Sequence, residues 1–98
     1  MHRSTKATAI SKEVKRRVYE RDKGLCIICG VCGLPEAHVI PRSALGLGIE
    51  ENIVTLCRDC HRLYDGVKRQ EYGEIIRNYM RSQYPNWDDI KKTYQKGD

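Results

Sequence analysis

Cys26-Ile27-Ile28-Cys29 and Cys57-Arg58-Asp59-Cys60 decide the reading of this chain: two C-x2-C knuckles with 27 residues between them. A two-residue gap lets two thiolates reach one ion from a tight turn. Two such turns complete a tetrahedral four-cysteine zinc site, closed and therefore structural rather than catalytic. Nothing resembling a thioredoxin-like βαβ unit surrounds either motif, which argues against redox chemistry. Cys29-Gly30-Val31-Cys32 has the same spacing, so Cys26 or Cys32 could be the spare thiol. Cys26 with Cys29 is favoured, because Cys29-Gly30 then ends a knuckle and Cys32 stays free. Five cysteines, an odd number, with no apolar leader stretch near Met1, do not make a disulfide framework.

The rest of the chain explains why a staple is needed. Its 98 residues read as one domain with a modest core, without Phe and with a single Trp. Metal binding would supply folding free energy that burial alone does not. No apolar run approaches the roughly 20 residues that cross a bilayer, so a soluble, cytoplasmic protein with no membrane partner is expected.

Outward from the knuckles, local signals predict an α+β order. Residues 1–10 are polar and expected to fray. Ser11 can cap a helix to about Arg21 with Val14 and Val18 inward, stopped by Gly24. Ala37-His38-Val39-Ile40, stopped by Pro41, and Asn52-Ile53-Val54-Thr55-Leu56 read as short strands joined by a loop with Gly46 and Gly48. A helix should run from Arg58 to Asp65, ended by Gly66. Tyr72, Ile75, Ile76, Tyr79 and Met80 have helical spacing and read as core. Pro85-Asn86 breaks that stretch. Asn86 could cap a last helix with Trp87, Ile90 and Tyr94 on one face, Asp88 and Asp89 in its first turn, and Lys91, Lys92 and Lys96 beyond. The core is placed at about 14–66, with 69–95 as a helical extension.

Charge is uneven. The net charge is +5, and residues 1–24 account for all of it, with eight Lys and Arg against Glu13, Glu20 and Asp22. Lys12, Lys15 and Arg16 there are candidate contacts to a phosphate backbone. The segment reads equally as a solvated helix face. No recognition-helix pattern for reading bases is evident, so low sequence specificity is expected.

Two histidines carry the chemistry. His61 follows a knuckle cysteine and sits four residues before Asp65, so on a helix the pair could grip one divalent cation with positions left open. His38 lies in the first strand, with Arg42 just after it as a candidate phosphate clamp. His38-Val39-Ile40-Pro41, then Asn52, then His61, with Leu56-Cys57-x-x-Cys60-His61, resembles the HNH (His-Asn-His) nucleases, and within them the zinc-containing branch with a ββα-metal core. The likeness covers about residues 14–66 and extends to short phage and prophage proteins.

That resemblance implies a metal-dependent endonuclease acting on DNA, double-stranded by preference, and leaving 5′-phosphate and 3′-hydroxyl ends. It implies that His38 is the general base, that His61 binds the catalytic cation (Mg2+, Mn2+, Ni2+ or Zn2+), and that Asn52 ties down the loop and helps hold the base. It also implies a phage or prophage setting in a bacterial host cell, with a terminase subunit as partner. A monomer, or a weak dimer, would most naturally nick, since one site addresses one strand. One departure stands out. The residue before the base, usually an Asp or His ligand, is Ala37. Asp65 is the preferred replacement, and Glu36, on the same strand face as His38, is another. Two other outcomes stay open: His38 as a ligand itself, or a degenerate site in a non-catalytic zinc module that binds nucleic acid.

Overall fold

A computed structural model describes residues 3–95, with side chains from Lys6 onward. The elements run α1 (Arg3–Thr8), α2 (Lys12–Arg21), β1 (Leu34–His38), β2 (Ile53–Leu56), α3 (Arg58–Asp65) and α4 (Arg69–Gln83), with short 3-10 turns at Arg42–Ala44, Glu50–Asn52 and Trp87–Asp89. The fold is a small α+β unit, a two-stranded antiparallel sheet with helices at both ends. Among the described residues no helix is long and apolar enough to cross a membrane. Lys96 lies outside the described residues.

Local chemistry explains most of these elements. Ser11 is extended and its hydroxyl accepts from Val14 N at 3.1 Å, which opens α2. Val18 of α2 is fully buried, while Glu13, Arg16, Arg17 and Glu20 pair along the wet side. The helix stops where Lys23 and Gly24 both take positive φ. Cys57 opens α3, its sulfur accepting from Cys60 N at 3.4 Å, and Gly66 follows the last turn.

β1 and β2 pair with Ala37 opposite Val54 and His38 opposite Ile53, and an irregularity between Leu34 and Ala37 re-aims the strand. Burial alternates along β1: Pro35 and Ala37 face inward, Glu36 and His38 outward. β2 is buried throughout. Val39, Val54, Leu56, Tyr64, Ile76 and Met80 form the core together with Cys26, Cys60 and Trp87.

A buried ion pair links the layers. The Arg21 guanidinium meets the Asp22 carboxylate at 2.8 and 3.0 Å and donates to the Glu50 and Ile53 carbonyls at 2.8 and 2.7 Å. Asp22 also accepts from Thr55 N and the Tyr79 hydroxyl. Every polar atom of the pair has partners, which is what makes its burial tolerable.

Several expectations are corrected. β1 starts at Leu34 and ends at His38; Val39 and Ile40 leave the ladder because their amides bond to the carbonyl and the side-chain oxygen of Asn52. The last helix does not form beyond the turn at Trp87–Asp89, and the 69–95 extension is helical only to Gln83. Asn86 makes no side-chain cap. The buried Trp87 indole donates to Glu51 O, and Leu47 N and Tyr94 N bond to Lys92 O and Leu45 O. These tertiary bonds hold the tail extended against the 45–47 loop. The stretch expected to fray holds α1, and its last residue, Thr8, is buried.

Candidate metal cluster and catalytic cleft

Two sites flank the start of α3. In the first, the sulfurs of Cys26, Cys29, Cys57 and Cys60 all lie within 4.8 Å of one another, with Cys29 and Cys57 at 3.7 Å. Tetrahedral Zn–S bonds of about 2.3 Å place sulfurs roughly 3.8 Å apart. The donor set and its spacing therefore fit a zinc ion. The knuckle geometry comes from the backbone: Gly30, at φ +83°, donates its amide to Cys26 O at 2.8 Å. Cys32 is exposed and bridges to Leu25 outside the cluster, which answers which thiol is spare.

Without an ion the thiols ionise unequally. Burial raises the Cys26 thiol, but the backbone amides of Cys57, Cys29 and Ile28 outweigh it and hold Cys26 at about 7. Burial, reinforced by its three sulfur neighbours, pushes Cys60 far up. A divalent cation removes that conflict, because each thiolate then faces positive charge.

The second site is an open cleft of about 560 Å³ beside the outer face of β1. Glu36 and His38 enter it from β1, His61 and Asp65 from α3, and Lys15 from α2. Arg42 reaches it from the turn after Pro41, and Ala9 and Ile10 complete the wall. His61 follows the cluster residue Cys60, and its amide bonds Cys57 O at 2.9 Å, so the knuckle that closes the cysteine site also sets this helix in place. His61 Nε2 and Asp65 Oδ2 stand 3.6 Å apart, one turn along α3 and both open to solvent. An imidazole and a carboxylate so placed are a fitting donor pair for a hydrated divalent cation.

His38 is held differently. Its Nε2 lies 2.8 Å from the Thr8 carbonyl. A carbonyl oxygen can only accept, so Nε2 carries the proton and the neutral ring keeps its lone pair on Nδ1. Burial lowers the His38 pKa below its ordinary value, against the opposing pull of Thr8 O, and the nearby Arg42 and His61 lower it further. The shift favours the neutral ring, the form that a base needs.

Asn52 stands behind the cleft, fully buried. Its side-chain oxygen accepts from Ile40 N at 2.9 Å, and its amide donates to the Ile40 and Leu47 carbonyls at 3.1 and 2.9 Å. It thus pins both ends of the segment that follows His38. Gly46 is required there because a Cβ would collide with the Ile40 carbonyl. Tyr64 adds a bond to Val39 O at 2.8 Å.

The remaining predicted residues separate. Lys15 lines the cleft and pairs with Glu36 at 3.6 Å. Lys12 is exposed on α2, outside the cleft lining. The Arg16 guanidinium is taken up by Glu13 and Glu20 and does not line the cleft. Ala37 is 1 % exposed within the core and offers no ligand. Thr8 was missed from the sequence; no local signal marks a backbone carbonyl that meets a ring 30 residues away.

The chain thus combines a β–β–α unit, four cysteines placed to hold a metal ion, and a cleft lined by two histidines. Residues 26–65, from the first knuckle cysteine to Asp65, match the family model of the HNH endonucleases. Comparison with curated proteins finds no match.

Proposed function

We propose that this chain is a metal-dependent endonuclease that hydrolyses phosphodiester bonds in DNA with low sequence specificity. The observation that carries the reading is the convergence of a neutral, carbonyl-anchored His38 with His61, Asp65, Lys15 and Arg42 in one open cleft. In this reading His38 Nδ1 takes the proton from the attacking water. His61 and Asp65 hold a divalent cation (Mg2+, Mn2+, Ni2+ or Zn2+), which when bound supplies Lewis-acid polarisation of the phosphate and offsets charge on the leaving oxygen. Asp65 stands in for the ligand that Ala37 cannot provide. Lys15 exchanges Glu36 for a phosphate oxygen, and Arg42 clamps the neighbouring phosphate. Asn52 acts through the loop it ties. Nicking by a monomer follows from a single cleft. A phage setting, a bacterial cytoplasm and a terminase partner rest on the family resemblance alone.

Supercoiled-plasmid cleavage by wild type and His38→Ala, with Mg2+, Mn2+, no added metal, or EDTA, tests this. Metal-dependent nicking that EDTA and His38→Ala both abolish is the expected result. Zinc-loaded wild type that binds the plasmid and never cuts it would overturn the reading. A nucleic-acid-binding zinc module, with Ala37 marking a lost site, would then stand.

A further inference from the structure

The N-terminal segment lies outside the residues that match the HNH family, yet it builds one wall of the cleft. Thr8, 3 % exposed at the end of α1, touches two of the proposed functional side chains. Its carbonyl meets His38 Nε2 at 2.8 Å, and its hydroxyl accepts from Arg42 Nε at 3.3 Å. The segment is seated by separate contacts. Gly48 N donates to Ala7 O at 3.1 Å, and a Cβ at Gly48 would run into the carbonyl of Ala9. Gly48 belongs to the loop that Asn52 pins through Leu47, so base, clamp and N-terminal segment share one support.

We propose that Thr8 is a positioning residue of the active site: its carbonyl selects the His38 tautomer with a bare Nδ1, its hydroxyl presets Arg42, and residues 7–10 are part of the nuclease. This rests on the function proposed above. The physical reason is that a neutral imidazole chooses between two tautomers of similar energy. One buried acceptor aimed at Nε2 is enough to select, and nothing in the sequence near His38 supplies it.

Two full-length chains test this. Joining a synthetic 1–25 segment to 26–98 at Cys26 allows the Thr8–Ala9 amide to be replaced by an ester, which weakens the Thr8 carbonyl as an acceptor, removes the Ala9 N–H and leaves every side chain in place. Thr8→Val keeps the carbonyl and removes the hydroxyl. Histidine nitrogen NMR reads the tautomer, and plasmid nicking gives kcat and KM. Wild type should show His38 protonated on Nε2 alone. The ester chain should show a tautomer mixture and a kcat roughly tenfold lower with KM unchanged. Thr8→Val should keep the tautomer and raise KM about threefold. A single Nε2–H tautomer and wild-type kcat in the ester chain would overturn the proposal. So would a Thr8→Val chain whose tautomer shifts, since the hydroxyl would then be the anchor. If wild type never cuts, the function fails while the NMR still decides the tautomer claim.

Discussion

The cysteine cluster and the histidine cleft meet at consecutive residues, Cys60 and His61, and differ in almost every physical respect. The cluster is a closed set of four like donors, two of them buried, drawn from two turns. The cleft is an open set of unlike groups from α2, β1, the following turn and α3, exposed to solvent. A closed shell can only hold the chain together. An open one can exchange water and substrate, and it gains precision by being mounted on the closed one. They meet on α3, where Cys60 and His61 are neighbours.

Loss of the cluster should have the largest effect. Cys57→Ser, or zinc removal, should abolish cooperative thermal unfolding, because structural zinc contributes on the order of 10 kcal/mol to folding of small modules. Cys32→Ser should leave zinc stoichiometry and Tm as in wild type. A Cys32→Ser chain that loses zinc would break the assignment of the four ligands.

His38→Ala should do the reverse. Cleavage should fall by roughly 10²–10⁴-fold while zinc content and Tm stay put, since general-base catalysis contributes about that much. Parallel loss of zinc would mean that the two sites are one.

Asn52→Ala should strike both. It strands Ile40 N and two carbonyls, so destabilisation of about 3 kcal/mol is expected by denaturant titration, with slower cleavage besides. A variant that loses stability and keeps full activity would separate the loop from the base.

The pH profile sharpens the contrast further. Because burial, Arg42 and His61 lower the His38 pKa, the protonated, inactive form builds up at lower pH than for an ordinary histidine. Cleavage should therefore rise with pH through a midpoint below the ordinary imidazole value of 6.5. Arg42→Ala should move that midpoint upward, because it removes a positive charge that opposes protonation.

The smallest effect belongs to the basic face of α2. Lys15→Ala should weaken DNA binding a few-fold and flatten its salt dependence by about one unit of slope. Arg16→Ala should change both less, its charge being offset by Glu13 and Glu20.

Legibility followed the range of the interaction. The knuckles, the Ser11 cap and the stop at Gly66 depend on neighbours three or four residues apart, and each was readable. The pairing of His61 with Asp65 is one helical turn, and it too was visible. The tail was misread as a helix because Asn86, Trp87, Ile90 and Tyr94 have helical spacing. Tertiary bonds from Trp87 to Glu51 and from Leu47 and Tyr94 to the opposite backbone outweigh that propensity. The Arg21–Asp22 pair reads as surface charge until Tyr79, Tyr84 and Thr55 close around it.

What the sequence by itself determined is the chemistry available: four thiolates in two knuckles, one histidine bound to the second knuckle's helix, another on a strand, and an asparagine between them. Ligand spacing and helical period are properties of the local chain, so they survive without a fold. Only the tertiary structure decided which nitrogen of His38 is free, which basic side chains reach the cleft, and that Ala37 faces the core. Those outcomes turn on contacts such as Thr8 to His38 and Asn52 to Leu47. They form once packing has paid the entropy of bringing distant backbone together.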